Sequence, residues 1–207
     1  MKDFGDFIDG RFVPAKGGIL HSTNPTDPNE VVYETKVSLE HIEMAVDAAT
    51  KANEPWARLG RHERFEIMKR FRECLRADKE DLAQAISRET GKLLSEARGE
   101  ANALVNRFDL VFNTAQADLT EGVVPGFPGE ELRYQPLGVV GVIGPFNYPL
   151  HLCHAHIVPA LLMGNSVVVK PSEVAPLSAS LYAACAEKAE LPKGVFNLVQ
   201  GLSLIHI

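Results

Sequence analysis

The sequence predicts an α/β fold built on an incomplete, doubly wound parallel sheet with flanking helices. From Glu131 onward, short apolar segments alternate with longer segments of helical periodicity. Strands that alternate with helices favour parallel pairing and right-handed crossovers between neighbouring strands. The residues before Glu131 instead contain a hairpin signal and then a run of helical patterns. We therefore expect residues 1–119 to pack on a sheet that residues 139–201 provide.

Strands are predicted near the start of the chain. Residues 7–13 place Asp9-Gly10 between two apolar pairs, which is a signal for a two-residue hairpin turn. Residues 24–28 combine two prolines with asparagine and aspartate, a composition typical of turns. The segment at residues 31–37 then predicts another strand.

Three helices are predicted next. The first follows Ser38, a residue type suited to cap the amino end of a helix. The second carries an apolar stripe between Phe65 and Leu75, and the third runs over residues 95–114. The apolar positions of the three stripes are Ile42, Ala45, Val46, Ala49, Phe65, Met68, Phe71, Cys74, Leu75, Ala97, Ala101, Leu104, Val105, Phe108 and Phe112. We interpret these stripes as core contacts.

The second half of the chain begins with a segment of different composition. Residues 120–129 contain two prolines and three glycines, so we expect a loop or an arm there. The elements predicted beyond it are strands at 132–134, 139–143, 167–169 and 195–199 and helices at 149–163 and 176–190. A proline opens each of these helices, where its missing N–H is not needed.

The composition is that of an ordinary globular protein. Of 207 residues, 45% are hydrophobic and 23% are charged, which suffices for a core and is too apolar for disorder. The net charge of -6 gives no reason to expect nucleic acid or an anionic membrane as a partner. The first residues lack the apolar region of a secretory signal. With three widely spaced cysteines, we expect a cytoplasmic protein with reduced thiols.

Three predicted parallel strands end in residues that suit a ligand site. In an open parallel sheet, ligands bind outside the carboxyl ends of the strands. The residues that follow the three strands are Gly144-Pro145-Phe146-Asn147, Lys170-Pro171-Ser172-Glu173 and Gln200-Gly201. We therefore expect these residues to converge on one site.

The chemistry of these groups fits a nucleotide. The Lys170 ammonium and the Glu173 carboxylate can hydrogen-bond a ribose diol, and the carboxylate would repel the 2′-phosphate of NADP. A glycine at position 144 or 201 lets backbone approach a ligand closely. The side-chain amide of Asn147 could stabilise an oxyanion on a carbonyl substrate. Two alternatives stay open, since Lys170 and Glu173 could form only a surface ion pair and Asn147 could only cap the following helix.

Other motifs carry less information. His151, Cys153, His154 and His156 lie close in sequence, but no second cluster completes the four ligands of a structural zinc site, so we expect no metal. Gly91 lacks the upstream glycine of a phosphate loop and is expected to end a helix. No Gly-x-Gly-x-x-Gly follows the first parallel strand, so the ordinary Rossmann fingerprint is absent.

The order of these motifs resembles the aldehyde dehydrogenase superfamily. Its members carry Pro-Phe/Trp-Asn-Phe/Tyr-Pro after the first strand of the nucleotide domain and Lys-Pro-Ser-Glu after the second. This chain has both motifs, at residues 145–149 and 170–173, and similar landmarks at residues 89–92 and 192–197. The resemblance extends from about residue 7 to residue 201.

The resemblance implies a cofactor site and an active-site amide. Asn147 would help to form the oxyanion hole, and Lys170 and Glu173 would hold the adenosine ribose of NAD. The implied cofactor-binding residues are Ile143, Gly144, Pro145, Phe146, Lys170, Ser172, Glu173 and Gly201. Residues 139–201 would form the first half of a Rossmann-like NAD-binding domain.

The resemblance also implies a substrate and an assembly. The family oxidises small aldehydes to carboxylic acids through a cysteine thiohemiacetal and passes hydride to NAD. Residues 155–161 are similar to succinylglutamate semialdehyde dehydrogenases of arginine breakdown, which points to that aldehyde. Residues 120–138 resemble part of the family's oligomerisation arm, so the full-length protein is expected to be a homo-oligomer.

The family's nucleophilic cysteine and general-base glutamate match no residue of this chain. Cys153 falls early in a predicted helix, and Cys74 and Cys185 are expected to be inert core thiols. Residues 202–207 break the family pattern and resemble a translated sequencing-library adapter. We expect an enzyme fragment that is inactive alone and that aggregates or packs loosely in isolation. The alternative is a non-catalytic nucleotide-binding or interaction module.

Overall fold

The computed structural model describes residues 4–117, 122–123, 127 and 129–202. The strands are β1 (Asp6–Ile8), β2 (Arg11–Val13), β3 (Ile19–Asn24), β4 (Asp27–Lys36), β5 (Gly122–Val123), β6 (Glu131–Leu132), β7 (Val139–Ile143), β8 (Ser166–Lys170) and β9 (Phe196–Leu198). The helices are α1 (Glu40–Arg58), α2 (Arg61–Ala77), α3 (Lys79–Thr90), α4 (Leu94–Ala117), α5 (His151–Leu162) and α6 (Pro176–Lys188). Within this described part, every helix is too short or too polar to cross a lipid bilayer.

Five strands form the central sheet, in the order β2-β1-β9-β8-β7. β7 and β8 pair in parallel with Ile143 opposite Lys170, and β8 and β9 pair in parallel with Val169 opposite Leu198. α5 connects β7 to β8, and α6 connects β8 to β9. The predicted parallel sheet with helical crossovers is confirmed, and its register brings the ends of β7 and β8 side by side.

The amino-terminal hairpin is part of the same sheet. Asp9 and Gly10 have φ angles of 52° and 77°, as a two-residue hairpin turn requires, so the predicted hairpin is confirmed. Its second role was not foreseen from the sequence, because β1 also pairs antiparallel with β9, with Phe7 opposite Leu198. This pairing covers the backbone of β9 that a half-sheet would otherwise leave open.

A buried carboxylate fixes the hairpin to the end of β9. Asp6 is fully buried, accepts a hydrogen bond from Gln200 N at 2.7 Å, and lies 2.7 Å from His41 Nδ1. It therefore links β1, α1 and the residues after β9. β7 forms the opposite edge of the sheet, where Gly141 and Ile143 are exposed. Among the described residues, no strand pairs with the outer side of β7.

The described part of the chain before residue 118 contains four helices where the pattern predicted three, and α3 is the additional one. Asp78 alone separates α2 from α3, and its N–H still donates to Cys74 O at 3.0 Å. Because neither proline nor glycine marks this junction, the sequence pattern does not reveal it. Gly91 ends α3 in the left-handed conformation, with φ 71°, as predicted.

α1 differs from the prediction at its start and on its apolar face. Leu39 occupies the N-cap position without a side-chain hydrogen bond, so the prediction that Ser38 caps this helix is wrong. Ser38 instead contributes its main-chain oxygen, which accepts from His41 N at 3.2 Å. Ile42 and Val46 are 46% and 41% exposed and are not core contacts. The buried residues of α1 are His41, Ala45, Ala49 and Trp56.

Several smaller predictions also change. β3 was not predicted, and it pairs with β4 in a separate two-stranded sheet. α5 begins at His151, so the prediction that Pro149 opens it is wrong, whereas Pro176 does open α6. β5, which lies within the predicted loop or arm at residues 120–129, pairs with β6, and β6 shares only Leu132 with the strand predicted at 132–134. Residues 118–121, 124–126 and 128, and residues 203–207 of the tail, lie outside the described residues.

Candidate active site

The ends of β7 and β8 bring the first two predicted motifs together. Gly144 N donates to Lys170 O at 2.9 Å, which continues the ladder one residue beyond β7. Ile143 and Phe146 are 74% and 62% exposed at this edge of the sheet. Large apolar side chains that remain exposed beside polar groups are typical of a ligand groove.

Lys170 joins the ends of β8 and β9. Its Nζ donates to Pro171 O at 2.6 Å and to Gly201 O at 3.0 Å, and it lies 3.6 Å from Glu173 Oε2. The side chains of Lys170 and Glu173 are 24% and 27% exposed, so the pair is partly buried. The structure therefore brings Lys170, Glu173 and Gly201 together, with the ammonium of Lys170 and the carboxylate of Glu173 at the carboxyl ends of the parallel strands.

Two of the predicted cofactor-binding residues, Ser172 and Gly144, also have structural roles in the turn and the packing around them. Ser172 is buried, and its Oγ accepts a hydrogen bond from Val174 N at 3.2 Å, so the hydroxyl shapes the turn after β8. A Cβ at Gly144 would overlap the Cys153 Sγ and would lie 3.5 Å from Pro171 Cα. The glycine is thus needed for packing of α5 and the β8 loop against the end of β7. At Gly201, in contrast, a Cβ would meet no atom of the described residues within 4 Å.

Asn147 lies in the exposed bend between β7 and α5. Its main-chain oxygen accepts a hydrogen bond from Lys92 Nζ at 2.8 Å. The alternative that Asn147 caps α5 is wrong, because Leu150 occupies the N-cap position without a side-chain cap. Glu100 of α4 takes that role: its Oε1 accepts from both Leu150 N and His151 N at 3.1 Å.

A second buried glutamate acts in the same way at α6. Glu89 accepts from Leu177 N at 2.7 Å, from Ser178 N at 2.8 Å and from Ser178 Oγ at 2.6 Å, and a fourth bond comes from Ser22 Oγ at 2.9 Å. Burial raises the pKa of Glu89, and these hydrogen bonds oppose the rise. Carboxylates are favoured at helix amino ends by the free N–H groups and by the helix dipole.

No capping role was predicted for Glu89 or Glu100, although Glu89 belongs to the family landmark at residues 89–92. The two glutamates lie 88 and 50 residues before the N–H groups that they accept from, so no local capping pattern marks them. The carboxyl end of α5 is held in a related way, since Trp56 Nε1 donates to Leu161 O and Arg64 Nε to Leu162 O, both at 2.9 Å. Side chains of the amino-terminal helices therefore position both crossover helices at the predicted site.

Of the histidine and cysteine residues of α5, Cys153 and His154 are buried in the core, whereas His151 is half-buried and His156 is exposed. His154 is fully buried and hydrogen-bonds the Tyr182 hydroxyl through Nδ1 at 2.9 Å, and burial lowers its pKa to about 3. Burial also raises the pKa of Cys153 to about 11 and raises that of Cys185 and Cys74. Thiols with raised pKa are poor nucleophiles at neutral pH. Among the described residues, no group of three or more His, Cys, Asp or Glu could hold a metal ion.

An open groove of about 610 Å³ lies at the opposite end of the sheet. It is bounded by the hairpin, by α1 and by the segment at Pro192–Val195 that leads into β9. Because parallel sheets bind ligands at the carboxyl ends of their strands, this groove is distinct from the predicted site.

Sequence comparison identifies the class of protein that this fold and site represent. A sequence profile described as the aldehyde dehydrogenase family matches residues 12–204. The chain therefore belongs to the aldehyde dehydrogenase family, whose members are NAD(P)-dependent oxidoreductases.

Two curated relatives of this chain share one enzyme name. The chain is 43% identical over 195 residues to an N-succinylglutamate 5-semialdehyde dehydrogenase of Chromohalobacter salexigens, covering 94% of this chain and 40% of that protein. It is 44% identical over 197 residues to the enzyme of the same name from Burkholderia thailandensis, with the same coverage of 94% and 40%. The chain thus spans 40% of the length of these relatives.

Solved structures agree with the fold. An aldehyde dehydrogenase C mutant of Pseudomonas syringae, bound to NAD+ and octanal, superposes with a TM-score of 0.87 at 34% identity, covering 95% of this chain and 40% of that chain. An aldehyde dehydrogenase from Bartonella henselae gives 0.91 at 30% identity, covering 96% and 42%. An NADP-dependent glyceraldehyde-3-phosphate dehydrogenase of Bacillus halodurans, bound to NADP, gives 0.89 at 26% identity, covering 97% and 44%. The similar structures therefore include both NAD and NADP complexes.

Proposed function

We propose that this chain is the amino-terminal part of an NAD-dependent aldehyde dehydrogenase that oxidises N-succinylglutamate 5-semialdehyde to the corresponding acid. The observation that carries the proposal is the convergence of Lys170, Glu173 and Gly201 at the ends of β8 and β9, beside the end of β7. The choice of substrate is supported by the names of the curated relatives at 43% and 44% identity.

Each predicted site residue has a place in this proposal. Lys170 and Glu173 bind the adenosine ribose, and the segment at residues 143–146 together with Ser172 and Gly201 lines the cofactor groove. When bound, the dinucleotide accepts a hydride from the substrate. Asn147 donates its side-chain N–H to the oxygen of the aldehyde as negative charge develops there, which lowers the barrier to attack.

The nucleophile and the general base are proposed to lie outside these 207 residues. Cys74, Cys153 and Cys185 all have raised pKa values, and Cys153 and Cys185 are buried, so none of them suits attack on a carbonyl. The family pattern also assigns neither role to a residue of this chain. These 207 residues alone are therefore expected to bind no substrate productively.

Assembly and location follow from the same proposal. We propose that the segment at residues 120–138 contributes to the interface of a homo-oligomer. This segment contains β5 and β6, which pair with each other. Three free cysteines fit a reducing compartment, so we propose the cytoplasm as the location.

Cofactor choice gives a test of the ribose site. In the complete enzyme, Glu173→Gln is expected to lower the ratio of kcat/KM for NAD to kcat/KM for NADP by about 10-fold, because the amide no longer repels a 2′-phosphate. The ratio is measured by steady-state kinetics with each cofactor at saturating aldehyde. Glu187→Gln removes an exposed carboxylate on α6 and serves as the matched control. An unchanged ratio in Glu173→Gln would refute this role for Glu173.

A further inference from the structure

The segment that carries Asn147 needs support from outside itself. Phe146, Asn147 and Tyr148 form an exposed bend between β7 and α5, with Phe146 62% and Tyr148 48% exposed. An oxyanion donor is effective only when it is held in place before the reaction begins. The contacts that fix this bend are therefore candidates for a role in the proposed reaction.

Lys92 reaches the bend from the end of α3. Its Nζ donates to Glu100 Oε2 at 2.6 Å and to Asn147 O at 2.8 Å, and it lies 4.1 Å from the centre of the Tyr148 ring. Two of the three N–H donors of the ammonium thus have oxygen acceptors, and the Tyr148 ring adds a cation–π contact. Two of the three neighbours belong to the bend.

Glu100 determines where the ammonium sits. Its carboxylate is fully buried, and its second oxygen accepts from Leu150 N and His151 N at the start of α5. One carboxylate thus holds both the amino end of α5 and the head group of Lys92. Removing one partner of a buried ion pair is strongly unfavourable, so this geometry is well determined.

The type of cation also matters. A lysine ammonium presents donors around a single nitrogen, whereas an arginine presents a planar fork suited to two oxygens of one carboxylate. The groups around the Lys92 ammonium belong to three different residues: two oxygen acceptors, from Glu100 and Asn147, and the ring of Tyr148. A compact ammonium fits this arrangement, and a guanidinium does not.

The geometry points to Lys92 as a positioning residue that, together with Glu100, holds Asn147 in the orientation needed to stabilise the oxyanion. This inference rests on the proposed function, because it assigns Lys92 a role through Asn147. Lys92 touches the main chain of Asn147 and the ring of Tyr148, and it acts on the reaction only through their placement.

The kinetic test is a double-mutant cycle in the complete enzyme. Lys92→Met keeps the aliphatic chain and removes the charge, and it is expected to lower kcat by about 10-fold, as for loss of one charge-assisted hydrogen bond, with little change in the KM for NAD. Asn147→Ala is expected to lower kcat by about 10²–10³-fold. Adding Lys92→Met to Asn147→Ala is expected to lower kcat by less than about twofold more.

A matched control separates positioning from general stability. Arg98→Met removes an exposed cation from α4, two residues before Glu100. The ion-pair partner of Arg98 is Glu80, at 2.7 Å. It is expected to leave kcat unchanged. A Lys92→Met variant with wild-type kcat, or one whose effect multiplies fully with that of Asn147→Ala, would overturn the inference.

Amide hydrogen exchange tests the positioning role without reference to catalysis. Exchange of the segment at residues 146–151 is expected to be faster in Lys92→Met than in the wild type and unchanged in Arg98→Met. If Asn147→Ala keeps full activity, the proposed oxyanion role fails, while faster exchange in Lys92→Met still supports the positioning of the bend. Unchanged exchange in Lys92→Met overturns the inference whatever the role of Asn147.

Discussion

Replacing Asn147 with alanine is expected to lower kcat of the complete enzyme by about 10²–10³-fold, the usual loss when one oxyanion donor is removed. The KM for NAD is expected to change little, because Lys170 and Glu173, the residues proposed to bind the ribose, lie at the end of a different strand. The measurement is steady-state NADH formation at saturating aldehyde.

Two further variants sharpen the test of Asn147. Asn147→Asp has nearly the same shape but places a negative charge beside the developing oxyanion, so its loss of kcat is expected to be at least as large. Asn29→Ala changes an exposed asparagine in β4 and is expected to keep wild-type kcat. An Asn147→Ala enzyme within about twofold of wild-type kcat would contradict the proposed role.

Replacing Glu89 with alanine is expected to lower the free energy of unfolding by about 3 kcal/mol, because two buried N–H groups of α6 and two serine hydroxyls lose their acceptor. The loss is less than the sum of four hydrogen bonds, since the variant also removes a buried carboxylate that burial disfavours. Urea unfolding of the complete enzyme, followed by far-UV circular dichroism, measures the change.

Two control variants test whether the effect of Glu89→Ala depends on the shape of the side chain and on its burial. Glu89→Gln keeps the shape of the side chain but retains one acceptor and brings an NH2 group toward N–H donors, so an intermediate loss is expected. Glu80→Ala removes an exposed glutamate of the same helix, α3, and is expected to lower the free energy of unfolding by less than about 1 kcal/mol, since its ion pair with Arg98 is exposed to solvent. A Glu89→Ala midpoint equal to that of Glu80→Ala would show that the buried cap contributes nothing to stability.

Local signals predicted the elements that form the sheet. Each of these signals lies within a few residues of the element that it predicts. The confirmed predictions are the Asp9-Gly10 turn, the apolar strands β7 and β8, and the proline that opens α6. The family and the α/β fold were also predictable, because the two strand-end motifs occur in the order typical of the family.

Features that depend on distant residues were not predictable in the same way. β1 pairs with β9 from nearly the other end of the chain, and Glu89 and Glu100 cap helices that begin far beyond them in sequence. The junction at Asp78 lacks a proline or glycine that would mark a helix end, so α3 was not predicted as a separate helix. The predicted core role of Ile42 and Val46 failed because periodicity identifies an apolar face but not what covers it.

The role of the site residues is a separate matter from their placement. The sequence motifs led to Lys170, Glu173 and Gly201, and these three residues do come together. Lys92 and Glu100 were not singled out as site residues, because their importance arises from contacts with a bend more than 45 residues further along the chain.

Aldehyde-dependent NADH formation by the complete enzyme is the most direct test of the proposed function. We expect N-succinylglutamate 5-semialdehyde to reduce NAD with a higher kcat/KM than other small aldehydes do, and with a higher kcat/KM for NAD than for NADP. Residues 1–207 alone are expected to form no NADH. A complete protein that forms no NADH from any aldehyde, or a 207-residue chain that oxidises aldehydes by itself, would contradict the proposal.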